Sequence, residues 1–315
     1  MSDLRLKLVG KRALTERIAE LCFEPVTGTI SGWQAGAHMR FKLADGGDRA
    51  YSLISFDPVP DQPKDIRVAV QLEPESTGGS RFMHELHVGD EVTATRPKCD
   101  FPVTPGAPAV MLAGGIGITP IISMTSALQA AGVPVELHYA VRSRRLMAYG
   151  AELAERYGES LHVHCDDDET ALDLDALIAG VEERHFYICG PRGLIDAARA
   201  KAEAAGVPMD RVHVELFDNA SAGGAGDTAF EVEIASTGEV IVVPADKTII
   251  EALEEAGQDL IYDCQRGDCG ICQTDVLEGI PDHRDVVLSE DERASGKIMQ
   301  ICVSRAKTPR LKLDL

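Results

Sequence analysis

The sequence holds no apolar run long enough to cross a bilayer. Its longest candidate, AVMLAGGIGITPIISM (109–124), is broken by glycines and a proline, whereas a spanning helix needs about 20 apolar residues. Nor does the N-terminal stretch read as an export leader. MSDLRLKLVGKR alternates charged and apolar residues instead of carrying an apolar core and a small-residue cleavage site, so no signal peptide is expected. Positive charge is in deficit: 31 Lys and Arg stand against 51 Asp and Glu, for a formal net charge of -20. That balance disfavours nucleic acid and anionic membranes, and suits docking onto a basic patch of another protein. There is no internal repeat. Only one C-x2-C pair occurs among eight cysteines, so a paired-motif zinc site is not supported. Without an export signal the thiols are expected to be reduced, in a cytoplasmic protein, and free to bind metal.

The 315 residues suffice for two or three domains, and 44% hydrophobic with 26% charged residues is a globular composition. Three textures follow one another. Residues 1–103 read as short alternating strands between Gly, Pro and Asp turns, among them LRLKLVGKRAL, AELCFEPV, HMRFKLA, RAYSLISF, DIRVAVQLE and DEVTATRP. This is the pattern of an antiparallel β-barrel or sandwich. Residues 104–220 alternate apolar strands (AVMLAGG, VELHYAV, LHVHCDD, HFYICG) with helical stretches, which predicts an α/β doubly wound parallel sheet. DNASAGGAGDT (218–228) reads as a flexible linker. Residues 229–315 open with two strands around a Thr-Gly turn, then a helix, TIIEALEEAG, and then a cysteine-rich loop.

That loop, DCQRGDCGICQTD, spaces Cys264, Cys269 and Cys272 by four and two residues, and Cys302 follows later. This is the plant-type spacing for a [2Fe–2S] cluster. Four thiolates offset the ferric charge, and Gly267 and Gly270 allow the backbone to turn its N–H groups toward sulfur. Cys22, Cys99, Cys165 and Cys189 are scattered, and for most of them the plain reading is a small buried residue.

Two further loops suit phosphate. LAGGIGITP follows an apolar strand and opens a helix for which Thr119 is the expected cap and Pro120 the first residue. Gly114, Gly115 and Gly117 would let a dinucleotide pyrophosphate approach the helix N-terminus, although a glycine run can equally be a plain strand-to-helix turn. Cys189-Gly190-Pro191 in YICGPRG would face the same crevice. In the first segment, RAYSLIS sets Arg49 and Tyr51 on one strand face, with Ser52 opposite. STGGSRFMHEL adds Gly78, Gly79 and Ser80 at a helix start. Alone this is an ordinary half-exposed strand; together the two stretches suit a flavin phosphate.

RAYSLIS, GGSRFMHEL, LAGGIGITPIISM, YICGPRGLID, VHVELF and DCQRGDCGICQTD occur in the order found in phthalate dioxygenase reductase and its relatives. The chain resembles that family over essentially its whole length, tail included. The resemblance implies a β-barrel flavin domain, a nicotinamide domain and a β-grasp ferredoxin domain, in that order. It implies FMN contacts from Arg49, Ala50, Tyr51, Ser52, Ala69, Val70, Gln71, Gly78, Gly79, Ser80 and Thr119, with Phe217 over the flavin ring. It implies nicotinamide dinucleotide contacts from Gly114, Gly115, Gly117, Cys189, Gly190 and Pro191. One departure stands out: Thr77 replaces an arginine before Gly-Gly-Ser.

The activity implied is hydride transfer from NADH to FMN, then single-electron passage through the cluster to a Rieske-type terminal oxygenase acting on an aromatic acid or similar compound. A haem monooxygenase is the alternative acceptor, and a non-enzymatic iron–sulfur redox sensor the alternative class. Ser52 is the candidate to hydrogen-bond the flavin near its reactive nitrogen, and Cys189 to line the nicotinamide pocket. After VELHYAV comes Arg142-Ser143-Arg144-Arg145 with no acidic residue. Arginine beside the adenosine ribose would favour NADPH, while the family resemblance favours NADH; the expectation is NADH.

Overall fold

The computed structural model describes residues 3–44, 46–74, 78–217, 224 and 226–315. The chain divides into two compact units, Met1–Glu215 and Leu216–Leu315. Among the described residues no helix is long and apolar enough to cross a membrane.

In the first unit, β1 (Leu4–Ala13), β2 (Ile18–Pro25), β3 (Ala37–Lys42), β4 (Asp48–Ser52), β5 (Ile66–Gln71), β6 (Glu91–Ala94) and β7 (Lys98–Cys99) form one antiparallel sheet. Its order is β4-β3-β6-β1-β2-β5, with β7 paired to β3. The two end strands, β4 and β5, are themselves in contact, so the sheet curls toward a barrel. Alternation sets the inside: Leu4, Leu6 and Leu8 of β1 are buried and the residues between them are exposed. The helix α1 (Gly79–Glu85) lies against β5.

β8 (Ala109–Gly114), β9 (Val135–Val141), β10 (Leu161–Cys165), β11 (His185–Cys189) and β12 (Val212–Glu215) form the all-parallel sheet, in the order β10-β9-β8-β11-β12. β8 is buried at every position, as befits a central parallel strand. The connecting helices are α2 (Ile118–Ala130), α3 (Gly150–Tyr157), α4 (Leu174–Val181) and α5 (Arg192–Ala204). Strand order reverses between β8 and β11, which places a crevice at their C-terminal ends.

The barrel and the parallel sheet share one core. Ile18, Ile54, Ala69 and Phe101 pack in the same cluster as Met111, Ile118, Ile121 and Met124. Ser123 of α2 donates its hydroxyl to the Leu53 carbonyl at 2.8 Å and accepts from the Ser55 N–H at 2.8 Å. This seam fixes the barrel against the crevice.

The second unit holds β13 (Phe230–Ile234), β14 (Val240–Val243), α6 (Ile249–Glu255), β15 (Gln273–Glu278), β16 (Pro281–Asp282), α7 (Glu290–Ser295), β17 (Ile298–Gln300), β18 (Arg305–Ala306) and β19 (Arg310–Leu313). Its mixed sheet runs β14-β13-β19-β15-β17, with β13 and β19 parallel. α6 opens on a capping box formed by Thr248 and Glu251. Of the expected linker, residues 218–223 and 225 lie outside the described residues. Its far end is not free: the Asp227 carboxylate is buried and takes the Arg284 guanidinium with both oxygens. The linker reading is therefore corrected at Asp227, because two arginines, Arg284 and Arg305, converge on that carboxylate.

Candidate functional site

Cys264, Cys269 and Cys272 lie in the loop between α6 and β15, and Cys302 follows β17. Cys264, Cys272 and Cys302 are buried and Cys269 is half-buried. Side-chain contacts join Cys302 to both Cys264 and Cys272, and Cys264 to Cys269. The four sulfurs thus form one connected group. The contact with Cys302 pulls the Cys264 thiol down, and the same contact drives Cys302 up. Burial raises Cys269 to about 11. Sulfurs this close shed protons most readily to a metal, so the donor set suits an iron–sulfur centre.

The loop backbone is shaped for the same end. Gln265, Gly267 and Gly270 adopt φ of 54, 80 and 77 degrees, and the Arg266 N–H turns inward to donate to Cys264 Sγ at 3.3 Å. A Cβ on Gly267 would fall 2.6 Å from Val303 Cγ2 and 3.0 Å from Asp285 Cα. Glycine is needed there both for its φ and for the close approach.

Three charged residues of this site were not singled out from the sequence. Arg266 and Asp268 form a buried ion pair at 3.3 Å within the cysteine loop. Asp285 is fully buried and accepts from the Val287 and Leu288 N–H groups at 3.0 and 2.9 Å, while Val286 N–H donates to Gly267 O at 2.9 Å. Charges in a polar loop normally read as solvated. The available signal was their position between cysteines that must be shielded from water. Gln300 was missed for the same reason: it is fully buried and accepts from the Cys272 thiol at 3.5 Å.

In the first unit, Gly114, Gly115 and Gly117 stand at the β8 end and Cys189-Gly190-Pro191 at the β11 end, on either side of the strand-order reversal. The two turns touch through backbone. A Cβ on Gly117 would meet Cys189 O at 2.2 Å, and one on Gly190 would meet Gly114 Cα at 2.9 Å. Gly115 has φ of +54 degrees with open space around it, the access a pyrophosphate needs. The Cys189 thiol itself is fully buried in the core, so its backbone meets the glycine loop.

Thr119 does not cap α2. A 3-10 turn over Gly115–Gly117 comes first, α2 starts at Ile118, and Gly117 is the cap residue. Thr119, the second residue of α2, instead donates to the Ile116 carbonyl at 3.1 Å. The glycine run tightens into an extra turn that a single-cap reading does not anticipate.

In the barrel, Arg49 and Tyr51 of β4 meet Gly79 of α1. A Cβ on Gly79 would fall 2.4 Å from Arg49 Cγ and 3.2 Å from Tyr51 Oη. Ser52 is buried, and Ala69, Val70 and Gln71 end β5. Ser80 accepts from the Glu73 N–H at 3.1 Å, and His84 holds the Val70 carbonyl at 2.8 Å, joining α1 to β5. Burial pushes the Tyr51 phenol up to about 12, so it stays protonated as a donor. An arginine, a phenol and a glycine-lined helix start fit a flavin phosphate. Thr77 lies outside the described residues. Phe217 follows β12 and is exposed. Arg142 is exposed just past β9, and Arg144 is paired with Asp168 at 3.1 Å. Of the four scattered cysteines, Cys165 and Cys189 are buried, but Cys22 and Cys99 are only half-buried.

Residues 111–200 match the oxidoreductase NAD-binding domain and residues 232–307 the 2Fe-2S iron-sulfur cluster binding domain. The chain is 42% identical to the phenoxybenzoate dioxygenase subunit beta of Ectopseudomonas oleovorans, over 92% of this chain and 90% of that one. It is 38% identical to the heme-dependent oxidative N-demethylase beta subunit of Ectopseudomonas mendocina, over 99% of both. Among solved structures, phthalate dioxygenase reductase is 32% identical with a TM-score of 0.71, over 100% of this chain and 98% of that one. An intact type IV self-sufficient cytochrome P450 monooxygenase is 36% identical with a TM-score of 0.73; this chain spans 41% of its length. The chain belongs to the phthalate dioxygenase reductase family and is an NAD(P)H-dependent electron-transfer oxidoreductase, built as a reductase component of an oxygenase system.

Proposed function

We propose that the protein takes a hydride from NADH onto FMN and delivers single electrons through a [2Fe–2S] cluster to a Rieske-type terminal oxygenase. The supporting observation is the four-cysteine group in a chain that also carries a glycine-lined dinucleotide crevice. When bound, the flavin converts hydride chemistry into single-electron chemistry and the cluster carries one electron at a time.

The residues have separate tasks in this reading. Cys264, Cys269, Cys272 and Cys302 hold the cluster, while Gly267 and Gly270 let backbone N–H groups face its sulfurs. Arg49, Tyr51, Gly78, Gly79 and Ser80 take the FMN phosphate. Ala50, Ser52, Ala69, Val70, Gln71 and Thr119 line the ring, with Ser52 as the hydrogen-bonding group. Gly114, Gly115, Gly117, Gly190 and Pro191 receive the dinucleotide, with Arg142 near the ribose. Cys189 contributes its backbone. The seam through Ser123 keeps barrel and crevice in register. NADH is favoured over NADPH partly because Asp168 occupies Arg144. The domains proposed are 1–103, 104–220 and 229–315. The setting proposed is the cytoplasm, where the thiols of the four-cysteine group stay reduced for metal.

A haem acceptor is the second reading, favoured by the heme-dependent demethylase relative and the P450 structure. Purified holoprotein should reduce ferricyanide with NADH and release FMN on heating. Recovered FAD, or no NADH oxidation, would contradict the proposal. Turnover with a Rieske oxygenase but not with a haem oxygenase decides the acceptor.

A further inference from the structure

A cluster of imidazoles lies away from the crevice, on one face of the parallel sheet at its edge. Glu136 and His138 are two apart on β9, so they share a face. His162 of the edge strand β10 is paired in register with His138, and His164 is two residues further on. The ligand atoms of Glu136, His138 and His162 all lie within 4.8 Å of one another.

The proton arrangement can be followed along a chain of hydrogen bonds. His164 Nδ1 lies 3.2 Å from the Thr170 carbonyl oxygen. A carbonyl only accepts, so Nδ1 carries the proton and His164 Nε2 is left as an acceptor. His138 Nδ1 lies 3.0 Å from that Nε2 and must donate to it. In the neutral ring, His138 Nε2 is therefore a bare lone pair. It faces Glu136 Oε2 at 3.8 Å. That distance is too long for a bridging proton. Two acceptors thus face each other, and the exposed His162 ring stacks beside them at 4.7 Å between centroids. Arg184 holds the same Glu136 oxygen at 3.0 Å.

We propose that Glu136, His138 and His162 form a binding site for a divalent transition-metal ion of the zinc type, with His164 as the positioning residue. Bonds of about 2.0–2.1 Å at a tetrahedral angle hold two donors roughly 3.3 Å apart. The 3.8 Å between His138 Nε2 and Glu136 Oε2 closes to that with a small side-chain shift. His162 is exposed and can turn toward the ion. His164, orienting the ring through its second nitrogen, is the usual companion of a ligating imidazole. Imidazole and carboxylate favour zinc, cobalt, nickel or copper over calcium or magnesium. Bound metal would clip the edge strand β10 to β9.

The test is zinc titration of the cluster-loaded holoprotein by calorimetry, with retained zinc and iron counted after dialysis. The wild type should bind one zinc equivalent with iron unchanged. His162→Ala and Glu136→Gln, both solvent-reachable positions, should each weaken it by at least about tenfold, and His164→Gln by about 10- to 100-fold. Retention of full zinc affinity by both His162→Ala and Glu136→Gln would overturn the site, as would absence of zinc-specific heat in the wild type.

Discussion

Gly117→Ala is the substitution with the most definite structural consequence. The added methyl would sit 2.2 Å from Cys189 O, 2.4 Å from its carbonyl carbon and 2.7 Å from Gly190 N. All three atoms are backbone at the end of a central strand, so no flexible side chain can yield. Ordinary contact lies more than about 1 Å further out, so the glycine loop and the β11 turn must separate by about that much. Overpacking of this kind costs about 1–3 kcal/mol of stability. The larger effect falls on chemistry, because a displacement of about 1 Å between reacting groups slows a reaction by roughly 100-fold. Anaerobic stopped-flow reduction of the flavin by NADH measures this directly. We expect a fall of one to two orders of magnitude in kcat/KM, with cluster absorbance intact because the cysteines lie in the other unit. A variant that reduces its flavin at the wild-type rate would refute the assignment of these two turns to the dinucleotide crevice.

Three further outcomes follow from the same geometry. Cys302→Ser should lower bound iron and abolish cytochrome c reduction while NADH-to-ferricyanide activity through the flavin persists; loss of both together would argue against separate sites. Asp227→Asn should lower the thermal midpoint of the second unit, with a cost of about 1–2 kcal/mol for weakening a part-buried ion pair. Arg284 holds the Asp227 carboxyl down to about 2 from an ordinary 3.8. Its stabilising contribution is therefore full above 3.8 and lost as pH falls through about 2, so the gap to Asp227→Asn should close over that window and stay constant from pH 5 to 7. Asp168→Asn should free Arg144 and raise kcat/KM for NADPH by about tenfold, equivalent to ~1.4 kcal/mol; an unchanged NADPH-to-NADH ratio would remove Arg144 from the ribose site.

Much of this could be read in the sequence where a period or a spacing carries physical meaning. Leu4, Leu6 and Leu8 alternate because one face of β1 is core, and AVMLAGG is apolar throughout because β8 is covered on both sides. The cysteine spacing identified a cluster loop because few chemistries use four thiols so arranged. What stayed hidden depends on tertiary partners. Arg266, Asp268 and Asp285 look like ordinary loop charges, and their burial appears only in the folded unit, where Arg266 pairs with Asp268 and Val286 bonds Gly267. Asp227 looks like part of a linker until Arg284 and Arg305 reach it. The start of α2 was displaced because the glycine run makes a 3-10 turn of its own. His138, His162 and His164 are unremarkable until β9 and β10 pair in parallel.

Electron flow from nicotinamide to cluster within this one chain is the most direct question to ask of the protein. Holoprotein titrated anaerobically with NADH should show flavin bleaching followed by the low-temperature EPR signal of a reduced [2Fe–2S] centre, at two irons and one FMN per chain. Flavin bleaching without any EPR signal, in protein carrying its full iron, would contradict the proposed path.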